Sequence, residues 1–236
     1  MVVSAAVSDG PNPQAVRAMF ARVAPRYDLL NRLLSLGQDQ RWRRKLRAAV
    51  ASAPPGPVLD LATGTGDVAL GFAGRRVVGC DFCLEMLALA QGKDRKGRVR
   101  WVAGDAMALP LRSGSVAAVT VAFGLRNFPD RLRGLGEIHR VLRAGGVLAV
   151  LEFHPIEHRW GRLVHGFWRR AVIVPLGGLL SGDREAYRYL PASSQRFLSR
   201  SELAALAQQV GFFLRGSETL GVGVAALSVF AKGGGA

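Results

Sequence analysis

The residues best placed to do chemistry lie between positions 58 and 106. Val58–Asp67 reads VLDLATGTGD, an apolar run ending in a glycine-rich turn that is expected to open a helix. Gly64 and Gly66 permit a tight turn and let a ligand approach the backbone, whose following amides then point at it. A dinucleotide fingerprint would need a third glycine at position 69, which is alanine, and Asp67 would repel a pyrophosphate. A cationic ligand suits the turn better, and Asp60 lies just ahead of it. Asp81 ends the next apolar run, where a carboxylate can accept both hydroxyls of a ribose. Asp105 and Ala106 follow the third run, where a carboxylate can accept an exocyclic amine. Alone, an Asp in such a place is more often a turn former or helix cap. Three in register with one glycine loop describe a nucleoside that carries positive charge and no phosphate, which is S-adenosyl-L-methionine.

Other reactive side chains support no second site. Cys80 and Cys83 have redox-motif spacing, but Asp81 between them is already employed and no further cysteine completes a site. His139, His154, His158 and His165 are too scattered to ligate a metal, so none is expected.

The elements that must position these residues alternate. Val58–Thr63, Val77–Phe82, Val99–Ala103, Val116–Phe123 and Val147–Phe153 are β-rich apolar runs, separated by helical stretches such as Leu84–Gln91 and Asp130–Leu142. That order predicts an α/β fold, a doubly wound parallel sheet with helices on both faces. Arg143–Gly146 (RAGG) is expected to end a helix with a glycine cap. Ser201–Val210 reads as a capped helix, and Phe212–Leu220 with Val224–Lys232 as an antiparallel pair at the sheet edge. Ahead of the sheet, Val16–Val50 has helical spacing and strong positive charge, predicting two or three short helices. The chain is thus expected to be a single domain, 1–236, with a loose arm at 1–14, amino-terminal helices at 15–52 and an insertion at 155–200.

Composition limits the partners. The 236 residues are 49% hydrophobic, enough for a full core, and 32 Lys plus Arg against 17 Asp plus Glu leave a net charge of +15. Only four of those cations are lysines, so an arginine-rich surface favours anionic partners, nucleic acid or acidic lipid. Ala171–Leu180, the longest uncharged apolar run, is too short to span a bilayer, and the first sixteen residues lack the features of a secretory signal. A cytoplasmic protein is expected.

Four segments together resemble a known family. Tyr27–Trp42 (YDLLNRLLSLGQDQRW), Ala122–Asn127 (AFGLRN), Arg140–Glu152 (RVLRAGGVLAVLE) and Ala186–Leu190 (AYRYL) are similar to the signatures of the quinone C-methyltransferases of menaquinone and ubiquinone biosynthesis, class I S-adenosyl-L-methionine enzymes. Asp39 stands where many members have His, Ala144 replaces a usual Pro and His154 a usual Ser; the likeness runs from about Val16 to Lys232. It implies a Rossmann-like sheet of seven strands, a cofactor held by Thr65, Asp81 and the Asp105–Ala106 pair, with Ala122 at a further contact position. The activity it implies is methylation of a ring carbon of a prenylated hydroquinone, demethylmenaquinol before a benzoquinol of the ubiquinone pathway.

On that reading the ring carbon becomes nucleophilic only when a phenolic oxygen loses its proton, and a phenol of pKa ~10 is barely ionised at neutral pH. Arg126 is expected to stabilise the phenolate as a fixed cation, without serving as the base, because a guanidinium has no acceptor. Tyr27 and Asn127 are expected to hydrogen-bond the ring oxygens, while the amino-terminal helices close as a lid. Arg159, Arg162, Arg169 and Arg170, with Trp160, Phe167 and Trp168, are expected to touch an acidic membrane peripherally. A homodimer is compatible with the sequence. The rival reading suggested by the charge, an RNA methyltransferase, lacks a pair of stacking aromatics around an acidic/Pro motif after the fourth strand, so nucleic acid is not expected as a partner.

Overall fold

The computed structural model describes residues 11–156 and 193–233. Three helices come first: α1 (Pro13–Val23), α2 (Tyr27–Ser35) and α3 (Gln38–Ala49), with a 3-10 turn at Ala24–Arg26. α1 begins inside the span expected to be a loose arm because Asn12 caps it, its Oδ1 accepting from the amides of Gln14 (2.9 Å) and Ala15 (3.2 Å), with Pro13 at the first helical position. Residues 1–10 lie outside the described residues.

The sheet follows the expected alternation. Its strands are β1 (Val58–Leu61), β2 (Val77–Asp81), β3 (Val99–Ala103), β4 (Val116–Ala122), β5 (Leu142–Phe153), β6 (Phe212–Leu220) and β7 (Ala225–Lys232), in the order β3-β2-β1-β4-β5-β7-β6. The first five pair in parallel, and β7 runs antiparallel between β5 and β6, so the antiparallel pair forms the edge and β6 its rim. The helices α4 (Leu84–Lys93), α5 (Arg131–Val141) and α6 (Arg200–Gln209) complete the described set. Alternate strand residues feed opposite layers: Leu59, Leu61, Val119 and Val121 pack with Leu135 and Ile138 of α5 and Leu203 of α6. Val58, Ala118 and Val147 pack with Trp42 and Leu46 of α3. Apolar side chains on both faces are why these strands read as near-continuous hydrophobic runs.

Two local expectations are corrected. The glycine turn does not open an α-helix but only a single 3-10 turn, Ala69–Gly71, which stops where Phe72 becomes extended. The RAGG run does not cap α5. The helix ends at Val141, Leu142 is already extended and paired with Val116, and RAGG forms an irregularity inside β5 before Val147 pairs with Ala118. A glycine cap is unnecessary because the Lys232 ammonium donates to the His139 and Leu142 carbonyls, both at 2.7 Å, and closes that end from β7. The cap of α6 is Ser199, two residues earlier than Ser201, with Glu202 completing a reciprocal capping box. Among the described residues no helix is long and apolar enough to cross a membrane. The expected membrane-facing side chains at 159–170, the AYRYL segment, His158 and His165 lie outside the described residues.

Candidate active site

A cavity of about 220 Å³ opens at the carboxyl ends of β1, β2, β3 and β4, where doubly wound sheets gather their ligands. Gly64, Asp81, Asp105, Ala106 and Ala122 line it, and so do Tyr27 and Asn127. Asp81 closes the glycine turn: one carboxylate oxygen accepts from the Gly64 amide at 2.8 Å and the other from the Cys83 amide at 2.9 Å. Each oxygen keeps a lone pair for a ligand hydroxyl. Burial pushes this carboxyl above its usual range, opposed by the amides of Cys83, Gly64 and Phe82. Asp105 folds its own turn, accepting from the Met107 amide at 2.8 Å. Gly64 has φ +56, and a side chain built on it would point into open space. The backbone there is presented bare, as close approach of a ligand requires. These features fit S-adenosyl-L-methionine, a nucleoside held through its hydroxyls and amine.

Four expected site residues stand outside the lining. Asp60 is buried beneath the loop, where the hydroxyls of Thr63 (2.5 Å) and Thr120 (2.7 Å) donate to it. Burial pushes its carboxyl up to about 6 despite those bonds, and from this position it braces the loop from below. Gly66 is required by packing, because a Cβ there would lie 2.6 Å from the Trp101 ring. The Thr65 hydroxyl is taken by Asp28 of α2 at 2.5 Å. Lys93 of α4 pairs with the same Asp28 and, at 2.9 Å, with Asp67, so the first helices are tied to the glycine turn by charge.

Arg126 departs furthest from expectation. It sits in a 3-10 turn, Leu125–Asn127, behind the cavity wall, and its Nη1 pairs with Glu152 at 2.6 Å, the two side chains 1% and 0% exposed. The same Nη1 donates to the Phe123 carbonyl at 2.6 Å, and the Arg126 amide donates to Glu152 at 3.2 Å. A guanidinium neutralised by a buried carboxylate is not a free cation for a phenolate. Its neighbour Asn127 faces the cavity instead.

Sequence reasoning missed the aromatic wall. Phe20, Phe123 and Phe128 line the cavity with Tyr27, and Phe20 meets Tyr27 edge to face at 6.0 Å. Phe123 has φ +58, an uncommon conformation for an aromatic residue, and its ring stacks on Phe153 at 4.5 Å. Glu152, the lone charged residue in the apolar run Val147–Phe153, was the signal that a buried cation must lie beside it. Cys80 and Cys83 are both buried thiols, pushed up to about 12 and about 11 chiefly by burial, which keeps them protonated and unreactive.

Residues 9–232 match the model of the ubiE/COQ5 methyltransferase family. The chain belongs to that family. It is 48% identical over 217 residues to the demethylmenaquinone methyltransferase of Thermus thermophilus, covering 89% of this chain and 98% of that protein. The protein of the same name from Deinococcus radiodurans is 45% identical over 208 residues, 86% of each chain. A relative from Geobacter sp. (strain M21), 42% identical over 208 residues, 84% of this chain and 88% of that protein, is named ubiquinone/menaquinone biosynthesis C-methyltransferase UbiE. Among solved structures, the [4+2]-cyclase SpnF superposes with a TM-score of 0.73 at 17% identity, covering 97% of this chain and 99% of that one. Haemonchus contortus phosphoethanolamine N-methyltransferase 2, in complex with S-adenosyl-L-methionine, gives 0.61 at 14% identity, covering 83% of this chain and 53% of that one. These likenesses show the fold alone, and a cyclase among them illustrates that the scaffold does not dictate the reaction.

Proposed function

We propose that this member of the family transfers a methyl group from S-adenosyl-L-methionine to a ring carbon of a prenylated hydroquinone, with demethylmenaquinol as substrate. The carrying observation is one cavity whose lining combines Gly64, Asp81, Asp105 and Ala106, placed to hold a nucleoside, with the aromatic side chains Phe20, Tyr27, Phe123 and Phe128. The names of the relatives from Thermus and Deinococcus support the naphthoquinol over the benzoquinol.

The cofactor supplies an electrophilic methyl group. The chain's own residues hold the partner: Asp81 takes the ribose hydroxyls, Asp105 the adenine amine, and the open backbone at Gly64 lets the ligand lie against the turn. Tyr27 and Asn127 hydrogen-bond the ring oxygens, so that as one phenol gives its proton to water the charge reaches the ring carbon, whose own proton would pass to water once the methyl group is received. Arg126 acts through the wall, holding the Phe123 carbonyl and thereby the residues on either side of it. A transfer that collapses two opposite charges would be favoured by a site kept dry by α1 and α2, and positioning of the ring by Tyr27 and Asn127 would supply much of the remainder. The substrate's prenyl chain stays in a bilayer, and the enzyme with its +15 charge works at an acidic surface as a peripheral partner.

Mass spectrometry of products from purified enzyme given demethylmenaquinol and a demethylated benzoquinol together tests the assignment. The naphthoquinol should gain one methyl group in preference. Tritiated methyl appearing in total RNA and not in lipid would overturn it.

A further inference from the structure

The outward face of α2 runs against the usual pattern of a helix on a folded domain. Leu29, Leu33 and Leu36 are 58%, 43% and 68% exposed, while Leu30 is buried. Leu29 and Leu33 are four apart and share one line of the helix, which Leu36 continues at the C-cap. Arg26 and Arg32, three residues to either side of Leu29, flank that line and are exposed, as are Arg22 on α1 and Arg41 and Arg44 on α3. Asp28, the one acid of α2, is turned to Thr65 and Lys93. The inner face of the same helix brings Tyr27 to the cavity.

We propose that this face docks on an anionic bilayer, the leucines entering the acyl boundary and the arginines meeting lipid phosphates. The proposal rests on the prenylated-quinol reading above and deepens it by naming the surface. An apolar line flanked by guanidinium groups has the composition of an interfacial helix. A second copy of the chain would set arginine against arginine across the leucines, which like-charge repulsion disfavours. Nucleic acid would use the arginines and leave the leucines in water. Docked this way, α2 stands between the lipid and the residues that face the ring, so the quinol head has only the thickness of one helix to pass.

The test uses the full chain, with Leu29→Ser plus Leu33→Ser as one variant and Arg32→Gln as another. Neither touches the cavity lining, and thermal melts check that both fold as the wild type does. Vesicles of phosphatidylcholine alone and of phosphatidylcholine with phosphatidylglycerol, both free of quinol, are sedimented with each protein. The wild type should bind the anionic vesicles, less so at high salt, and the double leucine variant should lose about tenfold or more in partition. Arg32→Gln should bind more weakly on the anionic vesicles only. The leucine variant should keep wild-type turnover on a short-chain quinol in detergent and lose it on a long-chain quinol held in vesicles. Wild-type partition by the leucine variant would overturn the proposal, as would a wild-type dimer in light scattering that those substitutions dissociate. Vesicle binding through the leucines with no methylation of either quinol would support the docking face and overturn the substrate reading alone.

Discussion

Arg126→Gln removes the positive half of the buried pair and leaves Glu152 without a counter-charge in a wall where both side chains are almost wholly enclosed. Breaking such a pair costs about 3–5 kcal/mol. For a chain of this size each kcal/mol lowers the melting temperature by about 2–4 °C, so the variant should melt about 6–20 °C below wild type. The buried Glu152 would then lack any counter-charge, and that loss is what the melting temperature reads. Adding Glu152→Gln, which removes the remaining charge, should restore part of the loss. Turnover should fall by the same factor at every pH, because Arg126 holds the wall and does not touch the ring oxygen. Melting curves, together with a rate–pH profile at saturating cofactor, read both effects. Two results would refute the reasoning: a melting temperature within about 2 °C of wild type, or alkaline rescue of turnover, which would put the guanidinium on the phenol.

Asp81→Ala deletes two charge-assisted ligand bonds worth about 1.5–3 kcal/mol each, so calorimetric titration should show S-adenosyl-L-methionine affinity reduced by about a hundredfold or more with the fold retained. Unchanged affinity would place the ribose elsewhere. Asp60, pushed up to about 6 from 3.8 by burial, contributes stability that is fully present below its ordinary range and is lost as pH rises through about 6. That slope amounts to about 3 kcal/mol at most, and Asp60→Asn should abolish it in urea denaturation between about pH 4 and pH 6. An unaltered slope would show that Asp60 does not titrate there.

The sheet was legible because burial on both faces leaves a direct imprint: β-branched runs of the right length at Val77, Val99 and Val116, each followed by a polar turn. Asp81 and Asp105 were legible for a related reason, since a carboxylate at a strand's carboxyl end has few places to go. What the sequence could not reveal was pairing across strands. The β4–β5 register sets Ala122 beside Leu151, which brings Glu152 against the turn after β4 and captures Arg126. Nothing local to AFGLRN announces that partner. The partner of the Thr65 hydroxyl was hidden in the same way, an aspartate thirty-seven residues earlier in the chain. The glycine cap expected within Arg143–Gly146 failed because a lysine from the last strand had already satisfied the helix end.

Phe123 is where these long-range contacts converge. A positive φ on an aromatic residue costs about 1–3 kcal/mol and persists only when the surroundings over-determine it. Here they do: its amide donates to the Leu151 carbonyl at 2.8 Å, its carbonyl accepts from Arg126, and its ring is stacked on Phe153. From the other side, α3 brings Trp42 to 6.4 Å and the Arg43 guanidinium to 5.8 Å from the same ring. Arg43 is itself paired with Asp39, which accepts from Ser35 at the end of α2. The cavity wall at Phe123 is thus clamped jointly by the sheet and by the amino-terminal helices. Movement of these helices, as a lid would require, would disturb the strained residue. Closure of α2 and alignment of Phe123 should therefore be one event, and a docking face on α2 would couple that event to the surface that holds the substrate.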